Sequence, residues 1–220
     1  MRIYIVRHGE SHTNVSGRIM SSTNLGLTER GALQAEAAHK YLQGVKFDYV
    51  FSSPLLRARQ TAEIICGDKD VVQVCDDLKE MLFGELEGLT WEEKSRRYPT
   101  IDTGKYLSKT KIPEGESFDD LVLRCDRFIK DKLSQIKVDA NVLIASHAIT
   151  KRVLINCMLE KLSHYVDYIN FADNTAITEI CLVDKKLVRL NDRTHLIDAT
   201  LASDTYELWS SFSEKDYTQL

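Results

Sequence analysis

Arg7 and His8 directly follow the apolar run Ile3-Tyr4-Ile5-Val6, and Ser146 and His147 directly follow Val142-Leu143-Ile144-Ala145. Arg57 comes shortly after the run from Tyr49 to Pro54, and Glu80 comes after Val71-Val72-Gln73-Val74. Ligands of open parallel sheets bind outside the carboxyl ends of the strands, so polar groups at four such exits are expected to converge on one crevice. Two imidazoles, two guanidiniums and one carboxylate form a set suited to handling a phosphate.

Taken singly, each residue has an ordinary structural reading: a satisfied histidine after a strand, or a solvated arginine in a first helical turn. The joint occurrence carries the argument. Arg7 and His8 break a buried pattern with two costly polar groups, and Gly9 then permits a tight turn and a close backbone approach.

If the ligand is a phosphate monoester, the phosphoryl oxygens must be neutralised, a nucleophile supplied and the leaving alcohol protonated. Arg7 and Arg57 suit the first task, because a guanidinium presents a planar fork of donors and stays charged. A protonated His147 would add a third donor. His8, next to Arg7 and at the tip of the first strand, is the candidate nucleophile, since a neutral imidazole can attack phosphorus in line and give a phosphohistidine. Glu80 is the candidate general acid, which would then act as base toward the hydrolytic water.

The elements that must position these groups alternate strand-like and amphipathic segments, which predicts an α/β fold. The expectation is a single-domain three-layer α/β/α sandwich over residues 1–220 with a mostly parallel sheet. It includes an antiparallel edge strand, a lid excursion after the third strand at about 85–116 and a C-terminal tail at about 197–220. Thr28 is expected to cap a helix with Leu33, Ala37, Tyr41 and Leu42 on one face, ending near Gly44. A second helix has Pro54 in its first turn and Leu55, Leu56, Ala58, Ala62 and Ile65 inward. Ser117 and Asp120 predict a capping box ahead of a stripe formed by Phe118, Leu121, Val122, Cys125, Phe128, Ile129 and Leu133. A further helix runs through Val153, Leu154, Cys157 and Met158. Residues 176–183 and 187–190 read as a hairpin at one sheet edge, and Tyr206, Leu208, Trp209 and Phe212 as a docking helix.

The chain of 220 residues is 43% apolar, with a net charge of −4 and a pI near 5.9, which argues against a nucleic-acid surface. Its five cysteines (Cys66, Cys75, Cys125, Cys157 and Cys181) show no metal-knuckle or redox-pair spacing, and no apolar stretch is long enough to span a membrane. A cytoplasmic protein without membrane attachment is expected. The exposed edge strand and the C-terminal aromatics are candidate surfaces for a homodimer.

In order along the chain, the segments IYIVRHGES (3–11), SSPLLRARQTAEII (52–65), LKEMLFGELEGLT (78–90), PEGESFDDLVLR (113–124) and VLIASHA (142–148) resemble the motifs of the histidine phosphatase superfamily. That family includes phosphoglycerate mutases and many small-molecule phosphatases. The resemblance implies a phosphorylated His8, a proton donor at Glu80, a phosphate pocket of Arg7, Arg57 and His147, and substrate contacts at Asn14 and Ala148. It implies no metal and no cofactor, and a small phosphorylated metabolite as partner. Glu85 and Glu87 lie near the acid position, but the alignment of FGELEG favours Glu80.

Where similar proteins usually carry a glutamine-glycine pair this chain has Met20-Ser21, and Asn24-Leu25-Gly26 replaces an acidic residue and a proline. These departures bear on substrate. The short chain resembles the phosphatase branch, with a cofactor-dependent phosphoglycerate mutase as the alternative and an inactive phospho-ligand binding module as a third reading. The excursion carries Lys94, Arg96, Arg97, Lys105, Lys109 and Lys111 against Glu92, Glu93 and Asp102. It is either a lid attracting a second anionic group or a solvated face, and Trp91, Tyr98 and Tyr106 either line the pocket or pack the lid. Asp68-Lys69-Asp70-Val71-Val72 imitates an aspartyl-phosphate motif but precedes its strand instead of following it. No cysteine has an arginine six residues later, and no phosphate-binding glycine loop with lysine is present.

Overall fold

Strands β1 (Arg2–Arg7) and β4 (Asn141–Ser146) are buried along all but their first residue, as expected of central strands covered on both faces. The computed structural model describes residues 1–101, 111–160, 172–197 and 201. The remaining strands are β2 (Tyr49–Ser52), β3 (Val72–Val74), β5 (Ile177–Cys181) and β6 (Lys186–Asp192). They form one six-stranded sheet in the order β3-β2-β4-β1-β5-β6. The first four are mutually parallel, and the hairpin β5–β6 joins antiparallel to β1 as the antiparallel edge.

Five α-helices are described: α1 (Glu29–Leu42), α2 (Leu56–Cys66), α3 (Trp91–Arg97), α4 (Phe118–Asp131) and α5 (Ala148–Met158). The strand period of two sends successive side chains to opposite cores. Tyr4, Val6, Leu143 and Ala145 pack with Ala38 and Leu42 of α1 and Ala62 and Ile65 of α2. Ile3, Ile5, Val142 and Ile144 pack with Leu121, Cys125 and Phe128 of α4 and Val153 and Leu154 of α5. This is the expected α/β/α arrangement, in one domain.

The face of α1 differs from the expected one. Gly31, Gln34, Ala35, Ala38 and Leu42 are buried, while Leu33 and Tyr41 are 47% and 39% exposed. Close backbone approach decided the rotation: a Cβ on Gly31 would lie 1.9 Å from the Glu10 carbonyl oxygen, so the small residues face the body. Gln34 is admitted because its amide accepts from Glu10 N and donates to Leu201 O, at 2.9 and 2.8 Å. In α2, Leu55 is the N-cap, so Pro54 precedes the helix, and Leu56 points outward at 38% exposure. The capping box of Ser117 and Asp120 forms, and Phe118, Leu121, Cys125 and Phe128 are buried as expected.

The described part of the excursion is pinned to the body. Ile101 and Ile112 join the core of Phe83, Leu86 and Phe118, and the Tyr98 hydroxyl donates to Glu85 at 2.6 Å. Trp91 is 40% exposed. Lys94 is buried with its ammonium on the Ile101 carbonyl, so its charge is committed within the segment. Lys105, Tyr106, Lys109 and the C-terminal aromatics lie outside the described residues.

Candidate active site

Register alone brings distant segments together. Arg7 pairs with Ser146 across β1 and β4, and Ser52 pairs with Ala145 across β2 and β4. One residue further on, His8 N donates to Ser146 O at 2.9 Å and Ser53 N to Ala145 O at 3.0 Å. The chain leaves β1 toward α1 on one face and leaves β4 toward α5 on the other. The crevice between these adjacent strands is therefore a topological switch point.

His8 is 4% exposed, and its Nδ1 lies 2.7 Å from the Gly9 carbonyl oxygen. A carbonyl only accepts, so Nδ1 carries the proton and Nε2 keeps a lone pair. That lone pair accepts from Arg57 Nε at 3.3 Å, a long bond. Burial, then the charges of Arg57 and Arg7, push the His8 pKa well below 6.5, so the ring is neutral. Its backbone is held on both sides. Asn174 Nδ2 donates to His8 O at 2.8 Å, and Gly9 N donates to Thr61 Oγ1 at 2.9 Å.

His147 packs edge-on against His8, with ring centroids 5.1 Å apart. Its Nε2 lies 2.8 Å from Ser53 Oγ, while its Nδ1 is buried without a hydrogen-bond partner. Burial first, and then Arg57 and the other nearby groups, lower its pKa well below 6.5. The ring is therefore neutral, and the protonated His147 considered from the sequence is disfavoured here. A neutral imidazole still offers one N–H donor.

Arg57, in the first turn of α2, donates from Nη1 to Thr23 O at 2.8 Å and from Nη2 to Ser21 O at 2.9 Å. Burial lowers its pKa to about 10, which leaves it cationic near neutrality. Arg7 donates from Nη1 to Ala172 O at 2.6 Å, and its Nε is buried without a partner. Burial lowers its pKa too, against the opposing pull of Glu80 and Asp173.

Glu80 sits over the first turn of α5. Its Oε1 accepts from Met81 N (3.0 Å), Thr150 N (3.2 Å) and Thr150 Oγ1 (3.2 Å), and its Oε2 from Ile149 N (3.3 Å). A helix N-terminus favours an anion, so this carboxylate is oriented beside His147, the N-cap. Ala148 is the first residue of the same helix and is half-buried. Asn14 is nearby through its amide oxygen, which accepts from Ser11 N at 3.0 Å and Asn174 Nδ2 at 3.3 Å.

The structure thus brings Arg7, His8, Arg57 and His147 into one buried group, with Glu80 close enough to act on both guanidiniums. Sequence reasoning missed several supports. Arg124, placed on a helix otherwise read for its apolar stripe, is buried. It pairs with Glu116 at 2.7 Å and donates to the carbonyls of Asp77, Lys79 and Glu80. Asn174 was findable: an antiparallel β5 starts where β1 ends, so the residues before β5 must lie at this edge. Among the described residues no group of three or more His, Cys, Asp or Glu side chains is disposed to hold a metal ion.

The model of the histidine phosphatase superfamily (branch 1) matches residues 3–193. Adenosylcobalamin/alpha-ribazole phosphatase of Escherichia coli (strain K12) is 35% identical over 155 residues, 67% of this chain and 73% of that protein. A 2,3-bisphosphoglycerate-dependent phosphoglycerate mutase 2 of Gloeobacter violaceus is 32% identical over 160 residues, 70% of this chain and 73% of that one. The crystal structure of phosphoserine phosphatase from Entamoeba histolytica, in complex with 3-phosphoglyceric acid, superposes with a TM-score of 0.73 and 29% identity. That match covers 89% of this chain and 99% of the other.

Proposed function

This chain belongs to the histidine phosphatase superfamily, and from that premise we propose that it is a phosphomonoesterase of a small phosphorylated metabolite, working through a phosphohistidine on His8. The observation that carries the reading is the state of the His8 ring: neutral, with Nδ1–H fixed on Gly9 O and Nε2 directed at Arg57. A phosphoryl dianion drawn to Arg57 exchanges the long Arg57–His8 bond for charge-assisted bonds to oxygen and leaves the Nε2 lone pair free to attack phosphorus. Arg7 and the imidazole N–H of His147 complete the oxygen contacts, with Asn14 and Ala148 at the rim of the pocket.

For the first step the Glu80 carboxylate must take up a proton from solvent, and as the ester bond breaks it delivers that proton to the departing alkoxide. It then takes a proton from the water that attacks the phosphohistidine, and phosphate and free His8 result. A neutral histidine favours this role because protonation would occupy the nitrogen that must form the new bond. No step calls for a metal ion. A cytoplasmic location fits the five free cysteines, and no described helix is long and apolar enough to cross a membrane.

Phosphate release from a panel of monoesters tests the proposal: α-ribazole phosphate, phosphoserine, sugar phosphates, 3-phosphoglycerate and p-nitrophenyl phosphate. Turnover by the wild type and its loss in His8→Ala, with the fold intact, is the expected result. Full turnover by His8→Ala removes the proposed nucleophile. The mutase similarity favours one second reading, transfer of the phosphoryl group to another hydroxyl. It predicts isomerised 3-phosphoglycerate in the presence of the bisphosphate, with little release of phosphate.

A further inference from the structure

We propose that Glu87 is a positioning residue for the phosphoryl-transfer step, acting through Ser21 and Thr23 to fix the fork of Arg57 against His8. The inference rests on the assignment of Arg57 and His8 to the phosphate site. Glu87 itself lies on the excursion side of the molecule and makes no hydrogen bond to either residue, although its charge also acts on Arg57 across the loop.

The connection is continuous. Glu87 Oε2 accepts from Ser21 N at 2.8 Å and Ser21 Oγ at 2.7 Å, and Oε1 accepts from Thr23 N at 3.0 Å and Thr23 Oγ1 at 2.9 Å. The same two residues turn their carbonyls to the other side, where Ser21 O receives Arg57 Nη2 and Thr23 O receives Arg57 Nη1. One carboxylate therefore sets the spacing of two acceptors, and those two acceptors set the plane of one guanidinium. With both Nη groups engaged, Nε is directed at His8 Nε2, the atom that must bond to phosphorus.

Other features of the loop fit this role. Ser21, at a position where similar proteins usually carry glycine, also accepts from Phe83 N through its hydroxyl at 3.1 Å, tying the loop to the segment that carries Glu87. The backbone pairs Ile19 N to Leu89 O and Gly88 N to Ile19 O, both 2.8 Å, so the two segments are braced along their length. Burial pushes the Glu87 carboxyl up, but its bonds from Ser21 and Thr23 outweigh that and hold it below the ordinary carboxylate value. It is thus an anion at neutral pH, as an acceptor of four hydrogen bonds must be.

Glu87→Gln separates positioning from simple support. A carboxamide accepts only through its oxygen, so its NH2 faces the donors of Ser21 or Thr23 and one half of the clamp opens. The groups around His8 are Arg57 on α2, Arg7 on β1 and His147 at the head of α5, with Glu80 acting on both guanidiniums, Glu87 also on Arg57 and Asp173 also on Arg7, while Glu87 is not among the groups that act on His8 itself. Loosening Arg57 removes a cation from beside His8, so the ring protonates more easily and the acid limb of the kcat/KM profile moves to higher pH.

The experiment measures kcat and the acid limb for the wild type, Glu87→Gln, Glu87→Asp, Arg57→Ala and the Arg57→Ala/Glu87→Gln double variant. For Glu87→Gln the expected result is a kcat lower by on the order of tenfold, since small misplacements of a reacting group are costly. Its acid limb moves upward, Glu87→Asp recovers part of both effects, and Glu87→Gln has no further effect once Arg57 is alanine. An unshifted acid limb, or an equal loss of kcat with and without Arg57, overturns the role of Glu87. Wild-type turnover by Arg57→Ala instead overturns the assignment of the phosphate site, so the two failures are distinguishable.

Discussion

Replacing Gly31 by alanine puts a single methyl group against the segment that carries His8. The new Cβ would lie 1.9 Å from Glu10 O, 2.7 Å from Glu10 C and 2.8 Å from Glu10 N, all backbone atoms that no side-chain rotation can move away. Gly9 is also too close for a side chain on its own side, because a Cβ there would meet Gly31 O at 2.4 Å. To restore a separation of 3.0 Å, the Glu10 backbone, two residues beyond His8, must retreat from α1 by about 1.1 Å. A displacement of ~1 Å in a reacting group costs about 100-fold in rate, or roughly 2.7 kcal/mol of barrier. The stability change is smaller. Overpacking costs ~1–3 kcal/mol, and because Gly31 is the third residue of α1, in its first turn, the better helix propensity of alanine returns less than the ~1 kcal/mol of a helix interior. The assay compares kcat on p-nitrophenyl phosphate with the melting temperature, using Gly44→Ala as control, where an added Cβ meets nothing within 4 Å. Gly31→Ala is expected to lose activity far out of proportion to stability, and Gly44→Ala to keep both. A Gly31→Ala protein with kcat within a factor of two of wild type would refute the claim that this contact sets the position of His8.

Two other predictions rest on the ionisable groups. Glu80→Gln should slow esters with basic leaving groups by ~100-fold or more and p-nitrophenyl phosphate much less, since protonation matters most for a poor leaving group. Equal slowing across a leaving-group series points to another acid. The rings of His8, His147 and His195 have native pKa values below 6.5, that of His195 lowered by burial to about 4. The unfolded chain therefore takes up these protons first, so stability is complete above about pH 6.5 and falls as the pH drops toward the native values. The two fully buried rings give a slope of up to ~3 kcal/mol per pH unit, with less from the partly exposed His195. Urea unfolding at pH 7, 6 and 5 measures this slope. Unchanged stability across that range contradicts the neutral, buried imidazoles.

The strands were legible because parallel strands buried on both faces leave uninterrupted apolar runs, and the polar residues ending them mark the crevice. That logic located Arg7, His8, Arg57 and His147; the register brings the ends of β1, β2 and β4 together, and the first turn of α2 then sets Arg57 against His8. The face of α1 was not legible, because counting large apolar residues favours Leu33 and Tyr41, whereas a close backbone contact selects Gly31, Ala35 and Ala38. The work of Glu87 was also hidden. Proximity to the acid position suggested proton transfer, but its function depends on which carbonyls Ser21 and Thr23 turn toward Arg57, and no pairwise spacing encodes that three-part arrangement. Arg124 was concealed in the same way, since its ion pair and three carbonyl acceptors come from separate segments.

The most direct measurement traps the covalent intermediate. Wild-type protein mixed with a phosphorylated substrate is quenched within milliseconds in alkali, where a phosphohistidine survives, and the modified peptide is identified by mass spectrometry. A phosphoryl group on residue 8, lost on acid treatment and missing from His8→Ala, is the predicted result. Rapid turnover with the phosphoryl group on another residue, or with no phosphoprotein at any quench time while Glu80→Gln also accumulates none, would contradict it.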